Sequence, residues 1–439
     1  MRPRHLLLSA LLPAIILCSA PAHALVVGTG TSGSCTEAAL DTALAAGNLV
    51  SFNCGAAPHT ITLTSTKTLT LPTLINGGGL ITLDGGHAVR HFTLGSGTYS
   101  LFGLRLANGQ AASGGAIHAT GTVLVLSGVT LDNNRAVDAG GSFGGAIYSA
   151  GGSAITLNLT RATNNQADHG GAIYTNGTDF LALNEFVAEA NQARYNGGAV
   201  AHTGTRLTIG QSLFHNNAVT DAASTGGAIE VAPATSSTLS IVNTTFEGNT
   251  GAMAGALAVR SVGGGTINNA TFANNNGGAK GTILAWGAGT QVTLANTLVS
   301  AGLGGPNCQA DAPAVLVDGG NNLQFGGSVD HSCGASIPQA DPLLAPLANN
   351  GTGYFSQTMA LQPGSPAINA GSGCEVVDQR GVARPIGPAC DIGAFEAPLA
   401  ARPGNGSVAV PALDWAGLAL LSTLLAGVAA LRRRRAGLL

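Results

Sequence analysis

The chain has 439 residues and a formal net charge of −3, with 65 glycines and only 9% charged and 4% aromatic residues. Soluble domains usually carry about 25% charged residues, and with so few large side chains a compact globule of this length would struggle to build a thick core. A thin, repetitive core suits this composition. Nucleic-acid binding, which needs a basic patch for phosphate contacts, is excluded by the scarcity of lysine and arginine.

Arg2, Arg4 and His5 precede an apolar run from Leu6 to Leu17, and Ala22-His23-Ala24 offers the small residues that a signal peptidase wants. Residues 1–24 therefore read as a signal peptide, cleaved between Ala24 and Leu25. Residues 25–112 read as an N-terminal cap followed by the first coils of a solenoid. Thr60–Leu63, Thr68–Leu71, Leu80–Leu83, His91–Leu94 and Tyr99–Phe102 are strand-like segments separated by Gly, Asn or Asp turns. Cys35 and Cys54 are placed to close a cover over the open end, where exposed strand edges invite aggregation.

A repeat fills residues 113–300. Gly-Gly-Ala-Ile starts at Gly114, Gly144, Gly170 and Gly226, with Gly-Gly-Ala-Val at Gly197 and Ala-Gly-Ala-Leu at Ala254, so successive starts lie 30, 26, 27, 29 and 28 residues apart. A second mark ends each unit, at Asn134, Asn165, Asn191, Asn217, Asn249 and Asn275. Between the marks come short apolar stretches such as Ala116–His118, Val123–Leu126 and Val129–Leu131, separated by turn residues and without helical periodicity. Three short strands per unit describe a coil, and stacked coils place equivalent strands about 4.8 Å apart. Inward Ile, Leu and Val then bury one another in a way no single unit can, and stacked asparagines can hydrogen-bond along the axis. The fold predicted is all-β, a right-handed parallel β-helix of about ten coils.

Residues 301–398 read as the last coils and a disulfide-stapled cap, and 399–409 as a linker. Cys18 belongs to the signal peptide; the mature chain keeps Cys35, Cys54, Cys308, Cys333, Cys374 and Cys390. Six cysteines allow 15 pairings, of which the three local pairs are the simplest in an oxidising compartment. In the tail, Leu413–Leu431 is apolar apart from Asp414, is marginally long enough to span a bilayer, and is followed by Arg432, Arg433, Arg434 and Arg435, which would stay on the cytoplasmic side. Without Arg2, Arg4, these four arginines and Asp414, 12 basic and 20 acidic residues remain, a net of about −8. Lys67 and Lys280 are then the only lysines.

Val410-Pro411-Ala412-Leu413, the apolar segment and the arginine cluster together resemble the C-terminal sorting signals of Gram-negative bacteria, especially the class named for its Ile-Pro-Thr-Leu motif. That resemblance implies recognition in the inner membrane by a sorting protease, cleavage, and passage of the body outward. The Gly-Gly-Ala-Ile repeat with Phe-x-x-Asn (Phe214–Asn217, Phe246–Asn249, Phe272–Asn275) resembles the repeat of the polymorphic outer-membrane proteins. Ala340–Leu344, Asn349–Gly351, Gly364–Gly371, Asp378–Gly381 and Cys390–Glu396 resemble the choice-of-anchor Q domain of bacterial surface proteins. These likenesses imply an exported β-helix at the cell envelope, a structural or adhesive module with a surface glycan or a neighbouring cell as partner.

The alternative is a carbohydrate-active enzyme, since many parallel β-helices cleave polysaccharides. A hydrolase needs a close carboxylate pair, and a lyase needs acids for Ca²⁺ together with a base. The acids here are scattered singly. Registered on the asparagine, Asp132 aligns with Thr163, Glu189, His215, Glu247 and Ala273, so acids recur without becoming continuous. Asp168 and His169 fall in the variable joint between Asn165 and Gly170 and lack a nucleophile beside them. Asp378 and Arg380, near Asp391 and Glu396, read as the lock of an end cap. No catalytic, cofactor or metal site is expected, and no Cys/His cluster has zinc spacing.

Overall fold

The computed structural model describes residues 25–398, apart from 178, 235–236, 301 and 352–355. The chain winds through about 11 turns of a parallel β-solenoid, in which every named strand pairs in parallel with its counterpart one turn away. One middle turn shows the plan. Ile173–Thr175 belongs to a 10-stranded sheet, Phe180–Asn184 and Val187–Glu189 to a 21-stranded sheet, and Gln192–Asn196 to a 5-stranded sheet. The middle turns thus carry four strand segments rather than three. The fourth escapes sequence reading because it buries a single small side chain per turn, Ala136, Ala167, Ala193 or Val219, and leaves no β-branched run to recognise.

The register explains the residue choices. Leu126, Leu157, Leu183, Ile209, Ile241, Ile267 and Leu294 pair in succession and all point inward. A second inward column holds Ala162, Ala188, Phe214, Phe246 and Phe272. Phe214 stacks on Phe246 at 4.9 Å between ring centroids, and Phe246 on Phe272 at 4.5 Å, close to the strand spacing that stacking imposes. Where the column shrinks to alanine, Phe186 enters from the preceding turn residue and meets Phe214 at 6.0 Å. The missing aromatic is thereby replaced from a neighbouring position.

The asparagine ladder is continuous and buried. Asn134 Nδ2 donates to Asn165 Oδ1, Asn165 to Asn191, Asn191 to Asn217, Asn217 to Asn249 and Asn249 to Asn275, at 2.9–3.0 Å. Each acceptor oxygen also takes the backbone N–H of the asparagine below it. The left-handed backbone falls one residue earlier, at Asn133, Asn164, Ala190, Asn216, Gly248 and Asn274, with φ between +52° and +68°. Turn-making and stacking are thus divided between two adjacent residues, the first taking a conformation that Asn and Gly adopt at low cost.

At the N-terminal end the helix Glu37–Ala45 buries Leu40 and Ala43 against the first turns, with Thr36 Oγ1 capping the amide of Ala39 at 3.2 Å. The disulfide Cys35–Cys54 ties this segment to the second rung. Lys67 Nζ lies 2.6 Å from Glu37 and 2.7 Å from Asp41, anchoring the helix from the strand side.

Replacing Asn191 by alanine strands the Ala162 carbonyl and the amides of Asn165 inside the core. A loss of about 3 kcal/mol is expected, seen as a lowered denaturation midpoint. Gln166→Ala, which removes an exposed amide pair, should stay within about 0.5 kcal/mol of the parent.

Candidate functional site

Two glycines open every repeat but the sixth, which begins Ala254-Gly255, and each glycine of the pair meets a different atom. Gly170 has φ +63°, and a Cβ on it would lie 2.2 Å from the carbonyl oxygen of Ile173; a Cβ on Gly171 would lie 2.1 Å from the carbonyl oxygen of Gly198 in the next turn. Neither can carry a side chain without moving backbone. Just before these glycines runs the 5-stranded sheet: Gln110–Ala111, Arg135–Ala136, Gln166–His169, Gln192–Asn196 and Ala218–Val219. Because its alanines face inward, Arg135, Gln166 and Gln192 stand outward in one pairing column, with Gln166 Nε2 donating to Gln192 Oε1 at 3.0 Å. The longer connection 137–142 walls one end of this strip and Thr220 lines the other, enclosing a groove of about 570 Å³.

Asp168 and His169 lie in this groove, in strand Gln166–His169 and not in an irregular joint. The sequence conceals that strand because its outward residues follow no apolar alternation. Asp168 Oδ2 accepts the amide and hydroxyl of Ser142 at 2.9 and 3.0 Å, and the Asp168 amide donates back to Ser142 Oγ at 2.9 Å. The carboxylate thus fastens the connection 137–142. His169 instead stacks on Phe143 at 5.1 Å, and lies 5.3 Å from the ring of Tyr195. Burial pushes its imidazole below the ordinary value, against the opposing pull of Asp168. The two neighbours serve different structures and form no acid/base couple.

The aromatic stack continues on both sides. Phe143 lies 4.8 Å from Tyr174, Tyr174 stacks on Tyr148 at 5.9 Å, and Tyr148 meets His118 at 4.8 Å. At the other end the Arg194 guanidinium sits 4.7 Å above the Tyr195 ring. These residues are scattered in the sequence and become neighbours only through stacking. The signal that could have found them is Tyr148 and Tyr174, each directly after Gly-Gly-Ala-Ile.

The other candidate acids are occupied. The column of Asp132, Thr163, Glu189, His215, Glu247 and Ala273 pairs in that order. Arg105 pairs with Asp132 and Arg161 with Glu189, and His215 Nδ1 lies 2.7 Å from Glu247. That hydrogen bond outweighs desolvation and raises the His215 imidazole. Inside the lumen, Ser149 Oγ donates to Asp179 at 2.6 Å, and Thr175 Oγ1 lies 2.6 Å from His202 Nδ1. All four are fully buried, which leaves no access for a substrate. Among the described residues no three acids, histidines or cysteines converge to hold a metal ion.

Asp378 and Arg380 lie in a strap, residues 372–397, that runs along the flank of the solenoid. Asp378 Oδ2 binds Arg380 Nη2 at 2.6 Å, and Arg380 Nη2 also donates to the Glu396 carbonyl at 2.5 Å. Arg384, which sequence reading did not single out, binds Glu396 Oε2 at 2.9 Å with both side chains 1% exposed. Burial lowers the Arg384 guanidinium, opposed by Glu396, Asp378 and Asp391, and burial raises the Asp391 carboxyl. The strap bonds to three turns: Thr245 Oγ1 donates to Gln379 Oε1 at 2.6 Å, the Ala394 amide to Thr271 Oγ1 at 2.9 Å, and Asn296 Nδ2 to the Ser372 carbonyl at 3.0 Å. Cys374–Cys390 closes it, and Cys308–Cys333 staples the last turns.

The signal segment ending at Ala24, the linker 399–409, and the tail residues Val410, Pro411, Leu413 and Arg432–Arg435 lie outside the described residues; Leu25 begins the first strand. Among the described residues no helix is long and apolar enough to cross a membrane.

Fold and site together define a disulfide-stapled parallel β-helix with a polar, aromatic-walled groove on its narrowest sheet. The IPTL-CTERM motif matches residues 408–435, and such a signal indicates an exported, cell-surface-anchored protein. No curated protein matches the chain. Among solved structures, "Structure of PL6 family alginate lyase AlyGC" is similar at 15% identity and a TM-score of 0.32, over 76% of this chain; the match spans 55% of that one.

Two outcomes are expected. Arg384→Met leaves the Glu396 carboxylate buried without its partner, and amide exchange should rise across 374–396 while the ladder at Asn134–Asn275 stays protected. His91 and His202 are both held down to about 4 by burial, whereas the unfolded chain titrates near 6.5. The unfolded state therefore takes up the protons first. Stability is full above about pH 6.5 and falls as pH drops toward 4, by about 3 kcal/mol per histidine. Denaturant titrations at several pH values should show this slope, made shallower in His202→Asn by that one histidine's share of about 3 kcal/mol.

Proposed function

We propose that this chain is a non-enzymatic surface module of a Gram-negative envelope: a rigid β-helix, exported by residues 1–24, displayed or released through its tail, and adhesive through the groove. The observation that carries this reading is the sorting motif at 408–435 on a body whose three disulfides suit an oxidising compartment. The tail would be recognised by a sorting protease of the inner membrane and cut ahead of Arg432–Arg435. The partner on the far side would be a surface glycan or a neighbouring cell. The likeness to choice-of-anchor Q proteins and to the repeats of polymorphic outer-membrane proteins supports the same reading, since it too joins a β-helical body to an exchangeable anchor.

A second reading is favoured by one observation. His169, an imidazole pushed below its ordinary value by burial against the pull of Asp168, shares the groove with Tyr195 and Arg194, and a polysaccharide lyase needs a general base. Incubation with acidic and neutral polysaccharides decides between the two. The adhesive reading expects no new reducing ends and no unsaturated-uronate absorbance.

Fractionation of producing cells, with mass spectrometry of the mature C-terminus, tests the sorting step. The expected surface form lacks Arg432–Arg435, and an intact arginine cluster at the surface overturns processing.

A further inference from the structure

The groove lining carries two guanidinium groups, Arg135 and Arg194, together with two carboxylates, Asp138 and Asp168. Arg135 and Arg194 are both exposed on its lining, and neither enters any ion pair among the described residues. The acids around them are turned to other work. Asp168 holds Ser142, Asp138 Oδ1 accepts the Gly140 amide at 3.0 Å, and Asp221 Oδ1 accepts the Ala223 amide at 3.0 Å.

Arg194 is also held in a particular way. Its guanidinium lies on the face of Tyr195, Tyr195 packs against His169, and His169 stacks on Phe143. A cation–π contact fixes the plane of the guanidinium without consuming its N–H groups. The five donors of Arg194 stay available, in a fork that matches a carboxylate. Arg135 stands two rungs away in the column that continues through Gln166 and Gln192. From the wall at 137–142 to Thr220 the groove crosses three rung spacings, about 14 Å, a length suited to a short run of sugar units. The two glutamine amides between the arginines offer donors and acceptors to hydroxyl groups.

We infer that this groove binds a short stretch of acidic polysaccharide laid along the solenoid axis, with Arg135 and Arg194 pairing with its carboxylates and Gln166 and Gln192 with its hydroxyls. The inference rests on the adhesive reading above and names its ligand class. The guanidinium–carboxylate pairs would form at solvent-exposed arginines, so binding weakens as salt rises.

Calorimetric titration of the purified full chain with trigalacturonate, and with maltotriose as the neutral counterpart, tests this. The acid trimer should bind and the neutral one should not. Arg194→Gln and Arg135→Gln should each weaken binding about tenfold or more, and the double variant should abolish it with an unchanged melting temperature. Binding of the acid trimer that survives the double substitution overturns the inference. Equal or preferred binding of maltotriose also overturns it, while leaving the adhesive reading standing. Binding of neither trimer overturns the inference, while the adhesive reading then stands only with a partner of other chemistry. Cleavage of a bound acid trimer overturns the non-enzymatic reading but leaves the arginine site supported.

Discussion

Each turn of the repeat buries one asparagine whose amide must find partners above and below it. Asn191 accepts from the backbone and side chain of Asn165, donates to the Ala162 carbonyl, and donates again to Asn217. A buried amide left without partners costs about as much as several surface contacts contribute, so successive turns are obliged to stay in register. From that one constraint the rest follows. Inward aliphatic and aromatic side chains stack on their own kind, the residue before each asparagine takes the left-handed turn, and the glycine pairs let backbones of adjacent turns meet.

The same constraint decided what could be read in advance. The repeat, its period and the alignment of Asp132 with Thr163, Glu189, His215, Glu247 and Ala273 were legible, because an exact linear translation turns sequence offset into spatial neighbourhood. The fourth strand was not, since one inward alanine per turn makes no pattern. The helix Glu37–Ala45 was also missed: it occurs once, and its capping threonine at Thr36 is lost among many turn-forming threonines. The groove was harder still. Phe143, His169, Arg194 and Tyr195 sit at ordinary positions of different units, and only the stacked register and the connection 137–142 bring them to one surface.

The structural work of the polar groups is divided by face. Charged pairs on the broad sheet, such as Arg161 with Glu189 and His215 with Glu247, satisfy one another and present little free charge. The lumen holds its own polar groups, Asp179 and His202, where no ligand reaches. On the narrow sheet Asp168 fastens Ser142 and His169 stacks on Phe143, while Arg135 and Arg194 stand outward above small inward residues and outside any ion pair among the described residues. That is the face on which residues can change with least cost to the core.

The strap has a mechanical meaning. Pro398, the last described residue, leads toward the tail, so any pull transmitted from that side reaches the strap before it reaches the coils. The strap grips three turns side by side, at Thr245, Thr271 and Asn296, and its Cys374–Cys390 loop cannot be drawn out straight. Load would therefore be shared as shear across several contacts that must break together, instead of peeling the final coil away one hydrogen bond at a time. A solenoid tethered in this way resists tension in the direction in which an unstrapped stack of coils would be weakest.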